Sequence, residues 1–178
     1  MINFENLKEN NSGHWTYKGS DQFEVPLGAF GFVYKIECVL PQDELDRLGI
    51  TKTKYLGRKY LSAAKTTSRR VSLKSGAKVT KKKKSRVESD WQTYTGSCLP
   101  LNDQIEKLGK ENFRFEILEF FQTKGQCNMA EAIIQIQFNV MIDNSYFNEA
   151  IGSGLFRGVK LDDNFKNLLK EIKYRNTL

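Results

Sequence analysis

The chain has little of what would make it a membrane, secreted or zinc protein. No run approaches the roughly 20 apolar residues that a bilayer span needs, and Met1-Ile2-Asn3-Phe4-Glu5-Asn6 lacks the basic start and apolar stretch of a signal peptide. A cytoplasmic protein with no membrane partner is therefore expected. The three cysteines, Cys38, Cys98 and Cys127, are odd in number and far apart, which fits free thiols in a reducing compartment and no disulfide framework. With a single histidine, His14, and no close cysteine pair, a zinc cluster is not expected. Any metal would be held by oxygen ligands, which suits Mg²⁺ or Mn²⁺. His14 itself lies in a polar N-terminal segment and reads as incidental.

Acids are missing from one long stretch. Between Arg58 and Arg86 stand twelve basic residues (Arg58, Lys59, Lys65, Arg69, Arg70, Lys74, Lys78, Lys81, Lys82, Lys83, Lys84 and Arg86) and no Asp or Glu. The whole chain of 178 residues carries 28 Lys and Arg against 21 Asp and Glu, so outside this stretch 16 cations face 21 acids and the remainder is mildly acidic. A focused basic segment on an acidic body is the footprint of a polyanion-binding protein. A solvated charge run, a localisation signal or a surface for an acidic protein partner would look similar. From Ser62 to Arg86 the residues are Lys, Ser, Thr and Gly with few large apolar side chains. Such a segment buries too little to fold alone, so a mobile arm is expected that orders on nucleic acid, helical near Ser62–Lys65 and Arg69–Val71 when bound and a loop at Lys74–Lys78.

Apolar residues elsewhere follow recognisable periods. Gly31–Ile36 and Lys54–Lys59 are short, aromatic and β-branched, as strands are. Period two puts Phe32, Tyr34 and Ile36 on one face, and antiparallel pairing would let Tyr34 share a face with Tyr55. The two phenols either fill a sheet or, beside cations or a metal ion that lower their pKa, orient or deprotonate a water. Between the strands, Pro41–Gly49 has proline near the start, acids in the first turn and glycine at the end, which marks a short helix. Leu101–Leu108 keeps helical spacing after Pro100 and stops at Gly109. Phe113–Phe121 alternates in part, as a strand with one buried face does.

Met129–Ile142 is the most apolar segment, and its one charge is Glu131. A carboxylate in a largely buried helix must be paired or metal-bound, unless Asn128 is the N-cap and Glu131 the third residue of a capping box. Asn148 follows in Tyr146-Phe147-Asn148, where a turn asparagine is the plain alternative. Met1–Leu27 reads as an irregular or short-stranded arm. Past Gly152-Ser153-Gly154, Asp162-Asp163 precede Phe165, Leu168, Leu169 and Ile172 at helical spacing, a helix that covers the core or meets a partner.

Phe32-Val33-Tyr34 and Tyr55-Leu56-Gly57 resemble, in variant form, the two triplets of the GIY-YIG nuclease family; the first has Phe32 where the family has glycine, with Gly31 displaced by one. Trp91-Gln92-Thr93-Tyr94-Thr95-Gly96-Ser97 and Leu108–Phe113 are similar to stretches of phage-type members. The resemblance covers Gly31 to Ile151 with its elements in the family's order. It implies a small α/β (α+β) domain with a three-stranded antiparallel sheet flanked by helices, occupying residues 28–151 with a basic insertion at 58–87, an N-terminal arm at 1–27 and a helical extension at 152–178. It implies a Mg²⁺- or Mn²⁺-dependent DNA endonuclease of phage or mobile-element origin, working in the cytoplasm of its host. The matching positions are Tyr34 and Tyr55 as catalytic phenols, Glu131 as metal ligand and Asn148 as support of the active face, all on the wall of one cleft. The catalytic cation falls among Arg58, Lys59, Arg69 and Arg70. The remaining lysines and Arg86, with Trp91 and Tyr94 as stacking surfaces, would hold nucleic acid. The altered first triplet leaves a catalytically decayed nucleic-acid-binding module as the alternative.

Overall fold

The computed structural model describes residues 13–72, 76, 78–152 and 155–156. Residues 1–12, Lys74 and the helix expected at 162–172 lie outside the described residues.

In chain order the elements are β1 (Trp15–Tyr17), β2 (Gly31–Cys38), α1 (Gln42–Leu48), β3 (Lys54–Tyr60), β4 (Ser62–Ser72), β5 (Lys78–Glu88), α2 (Leu99–Leu108), β6 (Phe113–Phe121), α3 (Lys124–Gln137), and the short strands β7 (Ala150–Ile151) and β8 (Leu155–Phe156). The main sheet has the order β1-β6-β2-β3. Strand β2 is antiparallel to both neighbours, Tyr34 opposing Gly57 on one side and Ile117 on the other. This antiparallel trio is the expected sheet. The expectation is corrected by a fourth strand, because β1 joins β6 in parallel, Trp15 opposite Phe115. Tertiary contacts hold so short a strand in place: the Trp15 indole packs edge-on against Phe32, Tyr34 and Phe115 at 5.0–5.5 Å and donates its N–H to the Trp91 carbonyl at 2.8 Å.

Alternation assigns the two faces of the sheet. Phe32, Tyr34 and Ile36 of β2 and Phe113, Phe115 and Ile117 of β6 are buried with Leu45 of α1 and with Leu101 and Ile105 of α2. On the opposite face, Leu56 packs with Leu118 and with Ala132, Ile134 and Ile136 of α3. Helix α1 ends as expected at Gly49, whose left-handed φ of 67° lets its N–H reach the Asp46 and Leu45 carbonyls. Pro100 sits in the first turn of α2, where its missing N–H costs nothing.

Helix α3 differs from expectation in start and in facing. Its N-cap is Thr123, which accepts from the Gln126 N–H at 3.2 Å while Gln126 Oε1 accepts from the Thr123 N–H at 3.1 Å. Asn128 and Glu131 are thus inside the helix, and the capping-box explanation of Glu131 is removed. Nor does α3 bury its apolar side chains throughout: Met129 is 69% exposed and Ile133 and Phe138 44% each, while Cys127, Glu131 and Gln135, one turn apart, face inward. The strand beneath explains this, because β3 presents an ionised arginine and edge backbone groups that need polar partners.

Over its described residues the basic segment is extended rather than helical, and most of the loop expected at Lys74–Lys78 lies outside them. Strands β4 and β5 form an antiparallel hairpin of 11 residues per strand, exposed along nearly its whole length. Ladder hydrogen bonds satisfy the backbone without a core, and Thr66, Thr67, Val71, Val79 and Thr80 favour extended backbone. No helix among the described residues is long and apolar enough to cross a membrane.

Candidate active site

Strand β3 is the edge of the main sheet, so side chains from its two faces can meet around it. Tyr55, Gly57 and Lys59 point to the side of α1 and α2; Leu56, Arg58 and Tyr60 point to α3. A cleft of about 420 Å³ opens at this edge, with Tyr55 and Ser97 on one side and Arg58, Glu131, Gln135 and Asn148 on the other.

The phenols are stacked in depth. Tyr34 is fully buried and its hydroxyl lies on the backbone of Gly57, where a Cβ would stand 2.6 Å from Tyr34 Oη and 2.9 Å from Tyr55 Cε1. Only glycine permits that approach. The Tyr34 ring is 6.1 Å from the rings of both Tyr55 and Tyr94. Tyr55 Oη is 3.2 Å from Ser97 Oγ and is the phenol that borders the cleft. Burial holds the Tyr34 pKa well above the usual 10, reinforced by its two phenolic neighbours. Burial also raises Tyr55, against a smaller lowering by the Ser97 hydroxyl. At both phenols burial thus moves the pKa in the direction opposite to the acidification expected beside cations.

The α3 side of the cleft is polar and almost completely bonded. The Glu131 carboxylate, in a residue 8% exposed, is held by an ion pair with Arg58. Such a pair is what a buried carboxylate requires. Arg58 Nε donates to Tyr60 Oη at 3.1 Å, and Tyr60 donates to Asn128 Oδ1 at 2.6 Å. Asn148 closes the strand edge by accepting the Leu56 N–H at 2.9 Å and donating to the Leu56 carbonyl at 2.7 Å. Gln135 Nε2 donates to that same carbonyl at 3.2 Å. Its Oε1 is buried without a hydrogen-bond partner among the described residues.

That orphaned oxygen bears on metal binding. Glu131 and Gln135 are one helical turn apart on the inward face of α3 and both line the cleft, with the unused amide oxygen buried on that face. Among the described residues no group of three or more His, Cys, Asp or Glu is placed to hold a metal. One carboxylate and a neutral oxygen fit Mg²⁺ or Mn²⁺, which keep several waters and take further oxygens from a phosphate.

Of the residues anticipated from sequence, Tyr55, Arg58, Glu131 and Asn148 come together at the cleft. Tyr34 stands behind Tyr55 and does not line it, and Glu131 comes from the opposite face of the sheet, so the single wall expected to carry both phenols and the carboxylate is corrected to one phenol, backed by another, across the edge of β3 from the carboxylate. Lys59 points away, 2.5 Å from Asp90 Oδ1 and 3.7 Å from the Tyr94 ring centroid. Arg69 and Arg70 are on β4, seven and eight residues beyond Ser62, about 25 Å along an extended strand. They do not meet Glu131 or Tyr55, and Arg58 is the cation at the site. Lys65, Lys78, Lys81, Lys82, Lys83, Lys84 and Arg86 lie on the hairpin. Trp91 is a core residue, packed edge-on with Phe32 at 5.9 Å, so its indole anchors the returning chain rather than offering a stacking surface. Tyr94 is partly buried between Lys59 and Tyr34. Gln135, Ser97 and Tyr60 were not anticipated. The four-residue step from Glu131 and the two-residue step from Arg58 are the signals that point to Gln135 and Tyr60.

Residues 15–151 match the family model described as "Putative endonuclease segE, GIY-YIG domain". No curated protein matches the chain, and no solved structure does.

Proposed function

We propose that this chain, which belongs to the segE-type GIY-YIG endonuclease family, hydrolyses phosphodiester bonds of duplex DNA with the help of Mg²⁺ or Mn²⁺ held at Glu131. The observation that carries the reading is the meeting, around one strand edge, of Tyr55 from one face of the sheet with Glu131 and Arg58 from the other, in a cleft large enough for a phosphodiester. Origin in a phage or other mobile element, implied by the likeness of Trp91–Ser97 to phage-type members, belongs to the same reading.

The residues divide the work by chemistry. Glu131, with Gln135 Oε1 beside it, would hold the ion. When bound, the ion supplies neutralisation of developing charge and stabilisation of the leaving oxygen. Arg58 pairs with Glu131 in the protein alone, and its planar fork suits the non-bridging oxygens of a phosphate entering the cleft. Tyr55, protonated at neutral pH and steadied by Ser97, offers a hydroxyl that orients the attacking water. Tyr34 is a positioning residue behind it, seated on Gly57. Asn148 is a second positioning residue, satisfying both backbone groups of Leu56 and keeping Tyr55 and Arg58 in register on either side.

Supercoiled plasmid incubated with the protein tests this directly. Nicked or linear product is expected with Mg²⁺ or Mn²⁺ and none in EDTA. Gel-shifted DNA that stays uncut with both metals would reduce the chain to a DNA-binding module without cleavage.

A further inference from the structure

The β4–β5 hairpin carries its cations in an arrangement that charge composition alone does not reveal. Residues opposite one another in an antiparallel pair share a face, and the register here distributes the charge over both. One face bears Arg86, Lys84, Lys82, Arg70 and Lys78, opposite Ala64, Thr66, Ser68, Thr80 and Ser72. The other bears Lys65, Lys83, Arg69 and Lys81, opposite Ser85, Thr67 and, for the last two, each other. The faces therefore hold five and four cations. The lone acid of the two strands, Glu88, is at the base opposite Ser62. Among the described residues none of the nine cations belongs to a salt bridge. The direct opposition of Arg69 and Lys81 is unfavourable in the isolated protein.

A ribbon lying flat on a phosphate surface, or on an acidic protein, needs cations on one face. Blunting a free sheet edge needs a lysine or two. Nine uncompensated cations on two faces ask for anions on both sides at once, and a duplex groove, walled by two phosphate backbones, supplies them. Dimensions choose the groove. A strand pair with side chains on both faces is about 10 Å thick, which the roughly 12 Å major groove of B-DNA admits and the roughly 6 Å minor groove does not. Strands of 11 residues extend about 36 Å, close to one duplex turn.

We propose that the β4–β5 hairpin enters the major groove of duplex DNA with its two faces against the two phosphate backbones, and so sets which phosphodiester reaches the cleft. The inference rests on the DNA reading above. The hairpin is placed to do this because only Leu61 separates it from β3, whose Tyr55 and Arg58 border the cleft. Its base is also fastened to the body: the Arg86 guanidinium lies 4.6 Å from the Phe30 ring centroid, held there by an Nε bond of 2.8 Å to Ser62 Oγ on the neighbouring strand of the hairpin. Ser89 ties the far strand down, with its N–H on the Leu61 carbonyl at 2.9 Å and its hydroxyl on the Tyr60 carbonyl at 2.6 Å. Duplex RNA is a poor fit, because its major groove is deep and narrow.

The test compares two triple variants, Arg70→Gln/Lys82→Gln/Lys84→Gln on one face and Lys65→Gln/Lys81→Gln/Lys83→Gln on the other. Binding to a 30-base-pair DNA is followed by fluorescence anisotropy in EDTA over a salt series. Each triple should lower the slope of log K against log salt by about 2.7, at about 0.9 per phosphate contact. Duplex RNA of the same sequence should bind the wild type at least about tenfold more weakly, and netropsin, a minor-groove ligand, should not displace the protein from DNA. One silent triple beside one that takes the whole loss, equal affinity for duplex RNA, or displacement by netropsin would overturn the proposal. Because these measurements exclude metal, absence of cleavage in the plasmid assay with the binding results intact would count against the endonuclease reading and leave the groove inference standing.

Discussion

The cleft and the hairpin both continue from β3, yet they treat charge in different ways. At the cleft, Arg58 and Glu131 are paired, Tyr60 and Asn128 extend the network, and Asn148 and Gln135 satisfy the backbone of Leu56. On the hairpin, nine cations stand in solvent without ion-pair partners among the described residues. A site of the first kind depends on the placement of single atoms, so one substitution should cost most of its function. A surface of the second kind works as a sum over many weak contacts, so one substitution should cost little. The two are separable, because rate belongs to the cleft and affinity to the ribbon.

The largest effect is expected from Glu131→Gln, which keeps the shape and removes the charge. Plasmid cleavage should fall about 10³-fold, while binding in EDTA is not weakened; loss of binding in parallel would erase the distinction between the two regions. Next is Gln135→Leu, which deletes the unused amide oxygen. Calorimetric titration should show Mn²⁺ affinity reduced about tenfold, whereas unchanged affinity would take Gln135 out of the ion's surroundings. On the hairpin, Lys82→Ala should weaken duplex binding only about fivefold at 0.15 M salt and leave the single-turnover rate at saturation unaltered. A collapse of the rate would show that the ribbon does more than hold.

The smallest effect is on stability. The folded phenols have pKa values above their ordinary 10, so the unfolded chain gives up their protons first. Their contribution is complete below about pH 10 and is lost as pH rises through the folded values. Urea unfolding should show a shallower loss of stability between pH 9 and 11 for Tyr34→Phe than for the wild type.

Much of the body was legible in the order of residues because burial writes itself as periodicity. Strands β2, β3 and β6 announced themselves by alternation and aromatic content, and α1 and α2 by proline, acids and glycine at their ends. Tyr55, Glu131 and Asn148 followed from the family resemblance, which left Arg58 as one of four cations. The start of α3 was misplaced because Asn128 is as good an N-cap by type as Thr123, and the choice is made by Gln126, whose side chain reaches back to close the box. A short strand in the N-terminal arm was one of two expectations, but its place beside β6 was not legible, because three residues carry no period and what holds them is the fit of Trp15 among rings distant in the chain. The hairpin was hidden for another reason: its stability lies in ladder bonds between backbones, which leave no mark on hydropathy. Gln135 is unmarked in an apolar run, since an amide shows its importance only when its partner, the Leu56 carbonyl, is in place.

The central claim is that Tyr55 and Glu131, from opposite faces of the sheet, act as one site around the edge of β3. A double-mutant cycle on single-turnover plasmid nicking, with Tyr55→Phe, Glu131→Gln and the pair, measures this most directly. Groups that act as a unit are non-additive. The double variant should be no more than about twofold slower than the slower single variant, with each single loss at least about 10²-fold. Losses that multiply in the double variant would place the two residues in independent roles and contradict the account.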